Sequence, residues 1–491
     1  MTADDLLALL PILVHGGLCI VTMLAIAVRR HHATIAVLAA VSCLLTLASL
    51  PVAAAAAPHA VTALVMIDGY ALLYMGLLLA ATLVVIALSY GYLQLHFEAH
   101  EEFEEFYLLV LLATFGGLVL VSARHFVSLF LGLELIGVSL YSLIGYLRIR
   151  RGPLEAALKY LLLSASASAF LLFGMALMYF QTGTMAFGRM GGALGGEAPA
   201  LWLAGFVLAL VGLGFKLGLV PFHLWIPDVY QGAPAPITAY VATVSKGAVF
   251  ALLLRFVGDV QALQHGALGA LFGLLAAASM IAGNVLALLQ HNVKRLLAYS
   301  SIAHLGYLLV ALLAGGSLAL EAVTFYLIAY FIMTLGAFGI VAILSREDRD
   351  ADMLEDYRGL FWSRPWLAGT LTLMLLSLAG IPVTVGFVGK FYAITAGLDA
   401  RLWFLVLLLV ANSAIGVYYY LRLIVAMVEQ PVWIAGRPAS QLEMETGWTT
   451  VLSLGLMVSL LLWLGLYPEP MIDFIRTMVG PLASPVAAIP S

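Results

Sequence analysis

Charge is what this sequence has least of. Only 10% of its 491 residues are charged and 64% are apolar, whereas about a quarter of a soluble globular domain is charged. A soluble fold is therefore excluded. Cysteine is nearly absent as well: Cys19 and Cys43 both fall inside early apolar runs, with no CxxC spacing, so a thiolate-held iron–sulfur cluster cannot be built from them. His15, His223 and His304 lie in separate apolar stretches, and a lone histidine in such a place packs or hydrogen-bonds more often than it ligates, so no metal centre is expected. No GxGxxG cradle precedes a helix, and no nucleic-acid partner or redox cofactor of the chain's own is expected.

What is present is a succession of apolar runs of about 20 residues, each long enough to cross a hydrocarbon core of about 30 Å as a helix whose backbone is satisfied internally. Fourteen spans are predicted, at 6–28, 33–50, 66–93, 107–122, 125–147, 154–180, 200–222, 237–258, 266–289, 295–314, 319–344, 366–396, 402–428 and 447–467. The fold class expected is an all-α polytopic membrane protein. The acidic start MTADD, followed by an apolar run without an Ala-x-Ala-like site, reads as a retained first helix and not as a signal peptide.

Arginine and lysine in short loops set orientation. Arg29, Arg30, Arg148, Arg150, Arg151, Lys294, Arg295, Arg346, Arg349, Arg358, Arg364 and Arg437 fall in alternate loops, against Arg124, Arg189, Arg255, Arg401 and Arg476 in the others. The first set is placed in the cytoplasm, which puts both termini outside. The acidic loop HFEAHEEFEEF at 96–106 and the mixed-charge loop at 345–365 are then cytoplasmic, and both read as solvated connectors in preference to docking surfaces.

Five basic residues remain, all inside apolar spans: Lys159, Lys216, Lys246, Lys390 and Arg422. The chain has only five lysines, so four of them are expected within the bilayer. Arginine is a permanent cation, whereas a desolvated lysine can exchange its proton. Among carboxylates only Glu134 lies near the middle of a span. An unpaired charge there costs at least about 2.5 kcal/mol, so Glu134 and one of the lysines are expected to face each other. A static pair that fixes helix register remains open for that one couple, but one carboxylate cannot neutralise four amines. The surplus reads as relay stations for protons or cations. Lys159 stands about one turn into its helix and can snorkel to the interface, and Arg422 near a helix end reads as an interfacial or headgroup residue.

Pro221 follows Lys216 in GLGFKLGLVPFHLWIPDVYQGAPAP, and Pro382 precedes Lys390 in SLAGIPVTVGFVGKFYA. Neither proline has an amide hydrogen, so both helices should break, and freed backbone at membrane depth is tolerated only where it lines protein or water. The breaks are expected to supply hydration and carbonyl dipoles beside each amine. They fall in the seventh and twelfth spans, five apart, which fits two inverted five-helix repeats.

With these residues quoted, the chain resembles the N subunit of bacterial NADH:quinone oxidoreductase, respiratory complex I, over nearly its full length. The resemblance rests on LGLELIGVSLYSLIGY, EAALKYLLLSASASAFLLFGMALMY, the stretch around Lys216 and Lys246, NVKRLLAYSSIAHLGYLLVAL and GIPVTVGFVGKFY. The L and M subunits and the subunits of multisubunit sodium/proton antiporters share the family. DVYQGAP at 228–234, where those siblings resemble one another around a His/Glu-Ala-Pro motif, is similar to the N wording.

The resemblance implies a proton relay in which Glu134 pairs with Lys216, Lys246 passes the proton on and Lys390 stands nearest the exit, with Lys159, His223 and His304 as secondary members. It implies a membrane-arm subunit of the bacterial inner membrane, a non-redox part of an enzyme whose FMN, iron–sulfur clusters and quinone sites lie in other subunits. The organisation implied is a three-helix segment and acidic loop (1–106), repeats at 107–258 and 259–428, and a last helix and tail (429–491). A subunit of a cation/proton antiporter and a purely structural scaffold are the alternatives.

Overall fold

A computed structural model of the chain describes residues 2–97, 102–148, 150–193, 198–430, 433–434, 437–438 and 447–483. Residues 98–101 of the acidic loop lie outside that set. Each expected span falls on helix. In chain order the helices are α1 (Leu10–Val28), α2 (His32–Ala54), α3 (Gly69–His96), α4 (Glu105–Val121), α5 (Phe126–Ile144), α6 (Arg151–Thr182), α7 (Ala200–Leu217), α8 (Trp225–Gly232) and α9 (Ala235–Asp259). They continue with α10 (Gly266–Leu288), α11 (Val293–Ala314), α12 (Gly316–Leu344), α13 (Pro365–Ala379), α14 (Val385–Asp399), α15 (Trp403–Val428), α16 (Trp448–Leu466) and α17 (Glu469–Ala483). Twelve helices among the described residues are long and apolar enough to cross a membrane alone; α4 and α13 are shorter apolar helices.

The two proline sites divide helices as expected. The span predicted at 200–222 stops at Leu217 and resumes as α8, and the one at 366–396 is split into α13 and α14. A short antiparallel hairpin, His59–Val61 with Val65–Ile67, had no periodic signal in the sequence. It leads into Asp68, whose carboxylate caps α3 by accepting from the Ala71 amide at 2.8 Å, as N-cap aspartates do.

The bundle is layered. Helices α9, α11 and α12 are buried along nearly their whole length, whereas α1 and α16 are mostly on the outside. An all-apolar helix can face lipid, whereas buried polar groups such as Lys246, Arg255, Lys294 and His304 need protein around them, and these three enclosed helices form the axis on which the site is built. Close approach helps to hold the frame: Gly174 of α6 and Gly205 of α7 face one another, and a Cβ on either would overlap the other's carbonyl oxygen. Large apolar side chains such as Trp362, Trp403 and Trp448 point outward, as suits a surface covered by lipid or by neighbouring subunits.

Candidate functional site: buried amines along a polar file

Helix α7 ends because Gly218 adopts a left-handed backbone, φ +76°, which costs an L-residue with a Cβ. Its amide returns to Gly214 O at 2.8 Å, and the Leu219 amide bonds the same carbonyl at 2.9 Å. The Phe215 carbonyl accepts from the Gly218 amide at 2.9 Å and from Trp225 Nε1 of α8 at 2.8 Å, and the Val220 amide donates to Ser279 Oγ of α10 at 3.0 Å. Protein thus satisfies the broken backbone.

Lys216 is 6% exposed. Its ammonium donates to Ser164 Oγ of α6 at 2.8 Å and stands 5.6 Å from the Tyr160 ring centroid. The Tyr141 hydroxyl also donates to Ser164, at 3.0 Å. Glu134, half-buried on α5, accepts from Ser168 Oγ at 2.6 Å. Among the described residues no ion pair joins Glu134 to Lys216. The two sit close, since a Cβ on Gly137, one turn along from Glu134, would stand 3.2 Å from Lys216 Nζ. The expected carbonyl dipoles are also not at this amine, whose one hydrogen bond among the described residues goes to the Ser164 hydroxyl.

At the second break they are. Gly380 repeats the left-handed stop, φ +86°, with its amide on Leu376 O and that of Ile381 on the same oxygen, both at 3.0 Å. Lys390 enters from α14 and donates to Leu378 O at 2.9 Å, Ala379 O at 2.8 Å and Ser413 Oγ at 2.9 Å, filling the unwound end of α13 with a cation as the helix dipole favours.

Lys246 lies between, 1% exposed. It follows one π-helical turn, Val241–Ser245, a distortion found mostly at functional sites and invisible in the sequence pattern. Its ammonium donates to Ser301 Oγ of α11 at 2.6 Å, which also accepts from the Tyr330 hydroxyl at 2.7 Å. It stands 5.2 Å from the Tyr230 ring centroid. From Ser301 the same face of α11 continues through His304, bonded to Tyr326 at 2.9 Å and Tyr420 at 3.3 Å. It then reaches Tyr307, whose ring lies 5.3 Å from Lys390 Nζ. Spacing of three residues keeps all three side chains on one stripe. A polar file thus runs from Lys246 to Lys390.

The other residues expected to act fall elsewhere. Lys159 is not interior: its side chain is 43% exposed and paired to Glu155 and Asp228, each at 2.8 Å, because it stands at the mouth of its helix within reach of α8. His223 is buried in the turn after Pro221, and its Nδ1 has no hydrogen-bond partner among the described residues. Arg422, half-buried, donates to the Leu288 and Gln290 carbonyls and closes the C-terminal end of α10, where a cation meets the helix dipole. Pro221 and Pro382 are both exposed on the turns they create.

Two cations assigned to loops are in fact buried. Arg255 is 3% exposed and makes a two-pronged pair with Asp68, both contacts at 2.8 Å. Lys294 has no exposed surface and contacts Asp350 at 2.6 Å. Both sit within a turn or two of a helix end, so counting charges by loop misplaced them. Each has its carboxylate; Lys216, Lys246 and Lys390 have none within ion-pair distance among the described residues. All three share another arrangement that the sequence concealed, a serine hydroxyl on the ammonium and a tyrosine ring beside it.

These features define a class: a polytopic membrane protein in which interrupted helices deliver unpaired amines to an internal polar file. A family described as NADH:quinone oxidoreductase/Mrp antiporter, TM, matches residues 123–416, and NADH-quinone oxidoreductase subunit N of Ectopseudomonas mendocina (strain ymp) is 50% identical over 480 residues, 97% of either chain. The chain belongs to this family. A chain of respiratory complex I from Thermus thermophilus with bound aureothin aligns at 34% identity and a TM-score of 0.78, covering 94% of this chain and 98% of that one. A chain of the Mrp complex from Dietzia sp. DQ12-45-1b reaches a TM-score of 0.85 at 20% identity over 98% of each, a likeness of fold alone.

Proposed function

We propose that this chain is a proton-translocating membrane-arm subunit of NADH:quinone oxidoreductase, carrying protons from Lys216 through Lys246 and the α11 stripe to Lys390 and outward. The observation that carries the relay is the pairing rule: buried Arg255 and Lys294 are neutralised, while Lys216, Lys246 and Lys390 are held by hydroxyls and carbonyls. An ammonium without a counter-charge is destabilised by burial, and a neutral amine is not. Such a group loads and unloads a proton with modest changes nearby, which a fixed ion pair does not.

Glu134 is the nearest source of such a change. The Ser168 and Ser164 hydroxyls lie between its carboxylate and Lys216, so closure of the gap favours the charged amine and opening favours release. The chain carries no redox chemistry in this reading; quinone reduction elsewhere in the complex, with FMN and iron–sulfur clusters in other subunits, moves that switch. Outward transfer costs about 2.3 kcal/mol per proton per 100 mV. Both termini lie on the periplasmic side in this reading.

The test is Lys246→Ala in the assembled complex reconstituted in vesicles, with protons pumped per electron as the readout. A fall in that ratio is expected, and an unchanged ratio in a fully assembled complex overturns the assignment.

A further inference from the structure

Asparagine occurs three times in the chain, and two of the three, Asn284 of α10 and Asn412 of α15, lie buried inside spans. A polar side chain at that depth is costly unless it is hydrogen-bonded. Asn284 is bonded at both ends of its amide. Its Nδ2 donates to Met280 O and to the Tyr307 hydroxyl oxygen of α11, each at 2.9 Å, and approaches Asn412 Oδ1 at 3.4 Å. Its Oδ1 accepts from the Tyr419 hydroxyl of α15 at 3.1 Å. The Met280 carbonyl can only accept, so the nitrogen is the end that faces it and Tyr307. Adjacent glycines make the reach possible. A Cβ on Gly283 would meet Ala303 N at 2.6 Å, and one on Gly306 would meet Met280 N at 2.9 Å, so α10 and α11 approach closely right beside the two bonded residues.

That bond decides what Tyr307 can do. An amide nitrogen cannot accept, so the Tyr307 oxygen receives a hydrogen from α10 and gives none back. No other hydrogen bond of this hydroxyl is present among the described residues. The Tyr307 ring is the aromatic face beside Lys390, its centroid 5.3 Å from Nζ. The rest of the amine's surroundings are the Leu378 and Ala379 carbonyls and the hydroxyl of Ser413, the residue after Asn412. An ammonium is drawn to the face of a ring. The attraction grows when a phenol donates its hydrogen and the ring gains electron density, and weakens when its oxygen accepts, because hydrogen bonds polarise the groups that make them.

We infer that Asn284 is a positioning residue for Lys390: it holds the Tyr307 ring beside the amine and keeps the Tyr307 hydroxyl an acceptor, which limits the ring's grip on the ammonium and leaves the proton free to go outward. Asn284 itself carries no proton. The inference rests on Lys390 being a station of the proposed relay.

Asn284→Asp keeps the shape and turns the donor into an acceptor, to which Tyr307 donates. In reconstituted complex, coupled turnover is expected to fall by about tenfold at matched complex content. In a Tyr307→Phe background the same substitution is expected to cost clearly less, since the group it acts through is gone. Parent turnover in assembled Asn284→Asp complex overturns the inference, and so does a loss that persists undiminished alongside Tyr307→Phe. Infrared spectra of complex with labelled tyrosine read the hydroxyl directly. The C–O band lost in Tyr307→Phe is expected at the position of an accepting phenol in the parent complex and at that of a donating phenol in Asn284→Asp. A donating-phenol band in the parent overturns the inference even where Asn284→Asp fails to assemble. If Lys390→Ala leaves protons per electron unchanged in assembled complex, the relay reading falls and this inference with it; if Lys390→Ala lowers the ratio while Asn284→Asp changes nothing, only this inference falls.

Discussion

Ser164 and Ser168 stand one turn apart on α6, the first accepting from the Lys216 ammonium at 2.8 Å and the second donating to the Glu134 carboxylate at 2.6 Å. Two residues expected to meet directly are instead joined through one helix face. That arrangement makes the separation of the charges a property of how α5, α6 and α7 pack, and movement of α6 against either neighbour alters it.

Ser164→Ala is expected to leave the buried ammonium without its hydrogen bond, a loss of about 1–3 kcal/mol, read as lower coupled turnover. Combined with Ser168→Ala the effects should be non-additive by more than about 0.5 kcal/mol in the log of the pumping rate, as for groups in one network. Simple additivity separates the two serines.

The two helix stops should respond differently to the same change. A methyl on Gly218 collides with the Ile226 side chain, while on Gly380 it meets the Lys390 stem, with Cδ at 2.8 Å. Both strain a left-handed backbone by about 1 kcal/mol or more. Gly218→Ala is expected to reduce the amount of assembled complex on native gels. Gly380→Ala is expected to spare assembly and lower pumping, because the flexible stem yields and carries the amine away from its carbonyls.

Lys246→Arg retains positive charge and cannot release a proton. Pumping is expected to fall nearly as far as in Lys246→Ala, measured as protons per electron at matched complex content. Near-normal pumping with arginine leaves Lys246 an electrostatic role only.

Burial pushes the Asp350 carboxyl upward, but the Lys294 ammonium and the Tyr92 hydroxyl outweigh it and hold the group below its ordinary value of 3.8. A carboxylate with a lowered folded value stabilises above the unfolded value and stops doing so as pH falls through the folded one. Hydrogen-exchange protection of residues 345–357 is therefore expected to show no step from this group between neutral pH and about 4, and to drop only in stronger acid. In Asp350→Asn that acid step should disappear.

Much of the architecture was legible because hydrocarbon imposes one rule on every span: about 20 apolar residues, backbone bonds closed within the helix. Pro221 and Pro382 announced the breaks by the same logic, since a missing amide is visible in one letter. Lys294 and Arg255 were misplaced because charge counting resolves a loop, not the turn of helix beside it. The serine beneath each amine left no trace, because serine is common and its role depends on which helix faces it.

Composition by itself determined that the chain lives in a membrane, where its helices run and which few groups cannot be idle there, since the transfer cost of apolar and charged groups is local to each residue. Which amines are neutralised, which stand alone, and that Ser301, His304 and Tyr307 join Lys246 to Lys390 were decided only by the packing of helices far apart in the chain. Pairing and hydrogen bonding act over a few ångströms, and only the folded bundle brings those atoms that close.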